Sequence, residues 1–164
     1  MKIHEPLNSD HIARCGFTIV EAVMVMVILA MLGMIAIPRY AAFTATQQLE
    51  GTARRITADL SLAQRQARRS SAGQTVNFDV DKSQYSLVGL KHPDHPNLPF
   101  EIGVGDEPYC ARIVSASFGG DAQLVYDGFG TPDSGGTVVI AVGAYQKTIT
   151  VDTGTGRPSK TDGP

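Results

Sequence analysis

Glu21 is the one charged residue between Phe17 and Ile37. A carboxylate in so apolar a run is costly unless it snorkels to an interface or meets a cation supplied from elsewhere. Other groups are chemically capable as well. His92-Pro93-Asp94-His95 places two imidazoles and a carboxylate side by side, ligand types suited to zinc. Their spacing matches no zinc pattern, and they read as a solvated loop. Asp121, Asp127 and Asp133 stand in Gly-rich stretches, as calcium ligands often do, without EF-hand-like spacing. Ser, His and Asp are all present, yet there is no G-x-S-x-G elbow to seat a nucleophile. The residues predict no catalytic centre, no metal and no cofactor.

The element that carries Glu21 is a run of 21 residues, Phe17 to Ile37. As a helix it would be about 31 Å long, near the hydrocarbon thickness of a bilayer. Eleven of its residues are Leu, Ile, Val or Phe. They favour insertion by about 3–7 kcal/mol, whereas an acidic residue costs about 3 kcal/mol at the centre and less near an end. Glu21 is near an end, so insertion wins. A cleaved signal peptide would have a shorter apolar core and a small-x-small site. Here Pro38-Arg39-Tyr40 follows instead. Lipid anchorage at Cys15 also fails, because Arg14 and no apolar stretch precedes it. The basic residues on either side do not settle orientation.

Gly16-Phe17-Thr18-Ile19-Val20-Glu21, followed by uncharged residues up to Pro38, resembles the N-terminus of type IV prepilins. That motif is a leader ending in Gly, then Phe, then Glu as fifth residue of the mature chain. The resemblance implies a leader over 1–16, cleavage between Gly16 and Phe17 by a prepilin peptidase, and N-methylation of Phe17. It implies that Glu21 pairs with the amine of a neighbouring subunit during assembly, in surroundings of low dielectric where such a pair is strong. Cleavage there would leave the apolar anchor on the protein. It would remove His4, His11 and Cys15, leaving Cys110 a free thiol, since the chain has only two cysteines.

Beyond the membrane segment, Leu49, Ala53, Ile56, Leu60, Ala63 and Ala67 recur at helical spacing. They predict an amphipathic continuation over 38–72 whose stripe packs on the head's own sheet, with an arginine-rich face left to solvent or to acidic neighbours. Gly73 is expected to cap it, for a helix of about 84 Å in all. Gly33 and Pro38 predict a kink, since Pro removes a donor and clashes with the preceding turn. So long a helix outruns any one small head, which argues that its first half is covered by lipid or other subunits.

After Gly73 the sequence turns to short β-rich runs, a head over 73–152 followed by a polar, mobile tail over 153–164. Strands are expected at 75–80, 85–90, 111–118, 123–126, 137–142 and 145–152, with a long Pro-rich loop over 91–109. The fold class is α+β: a long N-terminal helix on an antiparallel sheet. Residues 1–16 are formally neutral, 39–72 carry +4 and 73–164 carry −5.

Asp127-Gly128-Phe129-Gly130-Thr131-Pro132, Gly136-Thr137-Val138-Val139-Ile140, Thr148-Ile149-Thr150-Val151 and Thr155-Gly156-Arg157 resemble the head of GspH/FimT-like minor pseudopilins. The resemblance implies a non-enzymatic subunit near the tip of a type II secretion or type IV pilus-like filament, held in a bacterial inner membrane with its head in the periplasm. Some FimT-like pilins bind DNA for uptake through a G-R-x-R tail. Here Gly156-Arg157-Pro158-Ser159-Lys160 lacks the second Arg, and an acidic head repels phosphates. Arg157 and Lys160 remain the candidate contacts of that alternative.

Overall fold

The computed structural model describes residues 16–93 and 95–162, without the side chains of 36–38 and 162. The leader before Gly16, with Cys15, His4 and His11, lies outside the described residues, as does Asp94. The side chain of Pro38 is likewise outside them, so the expected kink at Gly33 and Pro38 stays an expectation.

Helix α1 spans Ile19–Ser70. Its chain divides into two compact units, 1–40 and 41–164. In the first unit α1 is long and apolar enough to cross a membrane, and none of that stretch is buried. In the second unit every member of the expected stripe is buried, Ala53, Ile56, Ala63 and Ala67 completely. Thr18 opens the helix. Its Oγ1 accepts from the Glu21 amide at 3.2 Å, an N-cap that satisfies one of the amides a helix start leaves without a partner. Ser71, not Gly73, closes it. Ser71 has φ 50°, and the Ala72 amide reaches back to the Ala67 carbonyl at 3.3 Å. That six-to-one bond is a Schellman closure, with Ser71 in the left-handed position usually held by Gly.

Eight strands follow: β1 Gln74–Asp79, β2 Gln84–Lys91, β3 Pro99–Gly103, β4 Arg112–Phe118, β5 Gln123–Tyr126, β6 Gly136–Val142, β7 Tyr145–Val151 and β8 Pro158–Asp162. They form two four-stranded sheets, β3-β2-β1-β5 and β4-β6-β7-β8, with every pairing antiparallel. Alternation places the apolar side chains. Val76 and Phe78 of β1, Val138 and Ile140 of β6, and Ile149 and Val151 of β7 are buried at the period of two that a half-buried strand requires. One core cluster joins them to the α1 stripe, and its buried members run from Leu49 to Val151. The head therefore carries its own core within the second unit.

Two expectations are corrected. The Pro-rich stretch contains β3, whose Phe100 and Ile102 enter the core. The polar tail contains β8, paired to β7 from Lys147↔Asp162 to Val151↔Pro158. Both are edge strands that begin at Pro, the position where a missing amide removes no ladder bond. The expected solvent face of α1 is also partly engaged. Arg55 is half-buried and its Nε donates to Asp59 at 2.8 Å. Asp59 also accepts from the buried Tyr85 hydroxyl at 2.5 Å. Burial, then the Asp59 charge, pushes the Tyr85 phenol far above its ordinary range.

Candidate assembly site and the loops at the end of the helix

The start of α1 is the first place to look for function, because an apolar surface and an ionisable group coincide there. Gly16 and Phe17 precede the helix and are exposed. Glu21 sits in its first turn, where the helix dipole favours an anion. Thr18-x-x-Glu21 has the capping-box pattern, a signal that the reading of Glu21 as a bare membrane carboxylate missed. Ile19, Val20, Val23, Met24, Val27, Ile28 and Met31 line an open apolar groove of about 500 Å³ along one side. This groove offers no polar group to orient a small molecule. It suits acyl chains or another apolar helix.

At the other end of α1, two loops are tied to its last turns. Gln64 is buried, and its amide donates to the Gly130 carbonyl at 2.8 Å and the Thr155 carbonyl at 2.7 Å. Arg68 Nε donates to the Phe129 carbonyl at 2.9 Å. Asp127 Oδ1 accepts from the amides of Phe129 and Thr131 at 2.9 and 2.8 Å. A Cβ on Gly128 would lie 2.8 Å from the Ser71 carbonyl carbon, so only Gly lets the loop approach the helix end so closely. The turn over 127–132, noted in the sequence as a motif, is thus a clamp that holds Phe129 outward.

The candidate DNA contacts are not brought together. Lys160 Nζ pairs with Glu50 of α1, and Lys147 of β7 pairs with the same carboxylate. Arg54 completes the group through its Nε, 2.8 Å from Glu50. Lys147 first, then Lys160 and Arg54, hold the Glu50 carboxyl down at about 2. Arg157 is exposed in the turn that leads into β8. Sequence adjacency made Arg157 and Lys160 look like a pair, but Lys160 belongs to a cluster that anchors β7 and β8 to the helix.

The metal-like groups go to separate places. The His92 and His95 rings stack with centroids 5.4 Å apart, beside Glu101 in an open hollow. Asp121 and Asp127 accept from amides of their own turns, and Asp133 accepts from the amides of the adjacent Ser134 and of Val125 in β5. Among the described residues no three candidate ligands converge. Cys110 is exposed and unpaired among the described residues.

Neither a protein-family profile nor a curated protein matches the chain. Solved structures do match. The minor pseudopilin EpsH from the type 2 secretion system of Vibrio cholerae superposes with a TM-score of 0.54 at 17% identity, over 70% of this chain and 97% of that one. The type IV minor pilin FimU of Pseudomonas aeruginosa does so with 0.52 at 15% identity, over 74% of this chain and 92% of that one. With the long apolar helix and the antiparallel sheets above, these likenesses establish that the chain has the type IV pilin-like fold in its GspH-like form.

Proposed function

We propose that this chain is a minor pseudopilin of a type II secretion system, or the equivalent minor pilin of a related type IV pilus-like machine. It performs no chemistry of its own. A prepilin peptidase cleaves after Gly16 and Phe17 is N-methylated. The subunit then waits in the bacterial inner membrane with its head in the periplasm, and packs into a helical filament at or near the tip. The observation that carries this reading is one helix with two kinds of surface. Residues 19–35, Glu21 apart, are apolar and almost all exposed, while the large apolar side chains of 49–67 are buried or half-buried against the head. A helix apolar on all sides needs lipid or other helices around it, and a filament provides both in turn.

Glu21 tests the assembly step. Insertion does not need it, because removing its charge favours the membrane. Glu21→Ala and Glu21→Gln should leave processing, insertion and head folding unchanged, and should reduce crosslinking to partner pilins together with secretion. Wild-type crosslinking and secretion by both variants would contradict the pairing. The DNA-uptake alternative loses support from the engagement of Lys160 by Glu50. No salt-sensitive gel shift by the head is expected. Tight wild-type binding abolished by Arg157→Ala with Lys160→Ala would overturn the secretion reading.

A further inference from the structure

We propose that His92 and His95, with Glu101, bind a divalent transition-metal ion on the β2–β3 hairpin. The inference goes beyond the filament reading and does not depend on it.

The hairpin leaves its regular ladder just before these residues. The register shifts between Leu87 and Lys91, and Gly89 takes a φ of 78°, which glycine adopts without steric cost. The chain from 92 to 98 then closes on itself. The His92 amide donates to the Leu98 carbonyl at 3.1 Å, the His95 amide to the His92 carbonyl at 3.2 Å, and the Leu98 amide to the His95 carbonyl at 2.9 Å. A loop tied three times through its own backbone has little freedom left to lose when it binds a ligand. His92 is steadied as well: its half-buried ring packs against the buried Phe100 ring, with centroids 5.9 Å apart.

Distance decides what the pair can do. The two imidazole centroids are 5.4 Å apart. Two imidazoles that share one ion through metal–nitrogen bonds of about 2.0–2.1 Å, at a tetrahedral angle, bring their centroids to about 5 Å. The pair thus already stands near the separation that a shared ion imposes. Both rings line one open hollow of about 460 Å³ together with Leu98, Pro99 and Glu101. Leu98 and Pro99 give it an apolar wall, which lowers the local dielectric and strengthens the attraction between an ion and a carboxylate. No group of three ligands is preformed among the described residues. Glu101 follows Phe100 on β3 and is exposed, so its side chain turns inward to complete the set, with water in the remaining positions. Two imidazoles and a carboxylate suit zinc, nickel and copper(II), and copper(II) binds such donors most tightly. Calcium and magnesium demand more oxygen ligands than this hollow supplies.

The head fragment 41–164 serves as the probe. It holds the whole core, leaves out His4, His11 and Cys15, and has His92 and His95 as its only histidines. It is made without an affinity tag and with Cys110→Ser, so that no thiol competes. Titration calorimetry with the chloride of zinc, nickel or copper(II) should show one ion per head, tightest for copper(II), and no uptake of calcium or magnesium. His92→Ala and His95→Ala should each weaken binding by at least about tenfold, the loss that even an outer partner of a metal ligand costs. Glu101→Gln should weaken it less, because both imidazoles remain. Zinc should also shift the ring-proton signals of both histidines in the NMR spectrum of the parent head, a readout that does not depend on how the variants fold. Ring signals unmoved by zinc overturn the inference, as does the absence of binding by all three ions at about 0.1 mM. Binding that survives in both histidine variants also overturns it, and marks adventitious chelation elsewhere on the surface.

Discussion

Residues 19–40 and 41–70 share one helix, but they meet opposite solvation problems. In the first stretch Val20, Val25, Ile28, Leu29 and Leu32, which point to different sides, are all exposed. In the second, from Leu49 onward, the apolar residues at 49, 53, 56, 60, 63 and 67 form one stripe and each of these is buried, with Leu62 packed half-buried beside them. Most of the remaining positions from Leu49 on are polar or charged, and several are anchored: Glu50 to three cations, Arg55 to Asp59, Arg68 to the Phe129 carbonyl. The second stretch is stabilised by its own head. The first has no such partner within its unit and depends on what surrounds it. Helical periodicity, more than hydrophobicity, separates an anchor from a core helix.

The sharpest way to break this comparison is to truncate one side chain in each stretch. Leu60→Ala should destabilise the head by about 2–5 kcal/mol, since it opens a cavity in a packed core. Leu29→Ala should leave head stability within about 0.5 kcal/mol of wild type. Urea unfolding of the full chain in detergent, followed by tyrosine fluorescence, measures both. Equal losses would mean that the first stretch also supports the head.

The stripe was legible because its spacing and its residue types agree, so the structure had little freedom to place it elsewhere. The edge strands were not. β3 and β8 begin at Pro99 and Pro158, and Pro-rich or polar text reads as loop until the neighbour that pairs with it is known. The helix end was misplaced by two residues because Ser71 takes the left-handed conformation that Gly73 seemed suited to supply. Lys160 was assigned by its nearness to Arg157, while its partner, Glu50, stands more than a hundred residues earlier. The motif around Phe129 was visible as text, but its clamp depends on Gln64 and Arg68, which only folding brings close.

A smaller effect sharpens the electrostatic side of the comparison. Glu50→Gln should cost about 1–2 kcal/mol by loosening β7 and β8 from the helix. The pH dependence follows from the lowered carboxyl. Glu50 is held at about 2 in the folded head against an ordinary 4.5. Its stabilisation is complete above 4.5 and is lost as pH falls through 4.5 toward about 2, because protonation then favours the unfolded chain. Acid unfolding of wild type should be steeper in that window than unfolding of Glu50→Gln. Parallel profiles would mean that the lysines merely hover near the carboxylate. Smaller still is Glu21→Gln, for which head stability should not change at all, since the effect expected there is confined to assembly.

The central claim is that the apolar stretch stays on the mature protein and begins it. N-terminal mass spectrometry of the membrane-bound protein from a cell with a prepilin peptidase measures this directly. The account predicts a first residue of N-methylated Phe17, and loss of that species in Gly16→Val with membrane insertion intact. A protein that still begins at Met1 in such a cell, or one cut after Ile37, would contradict it.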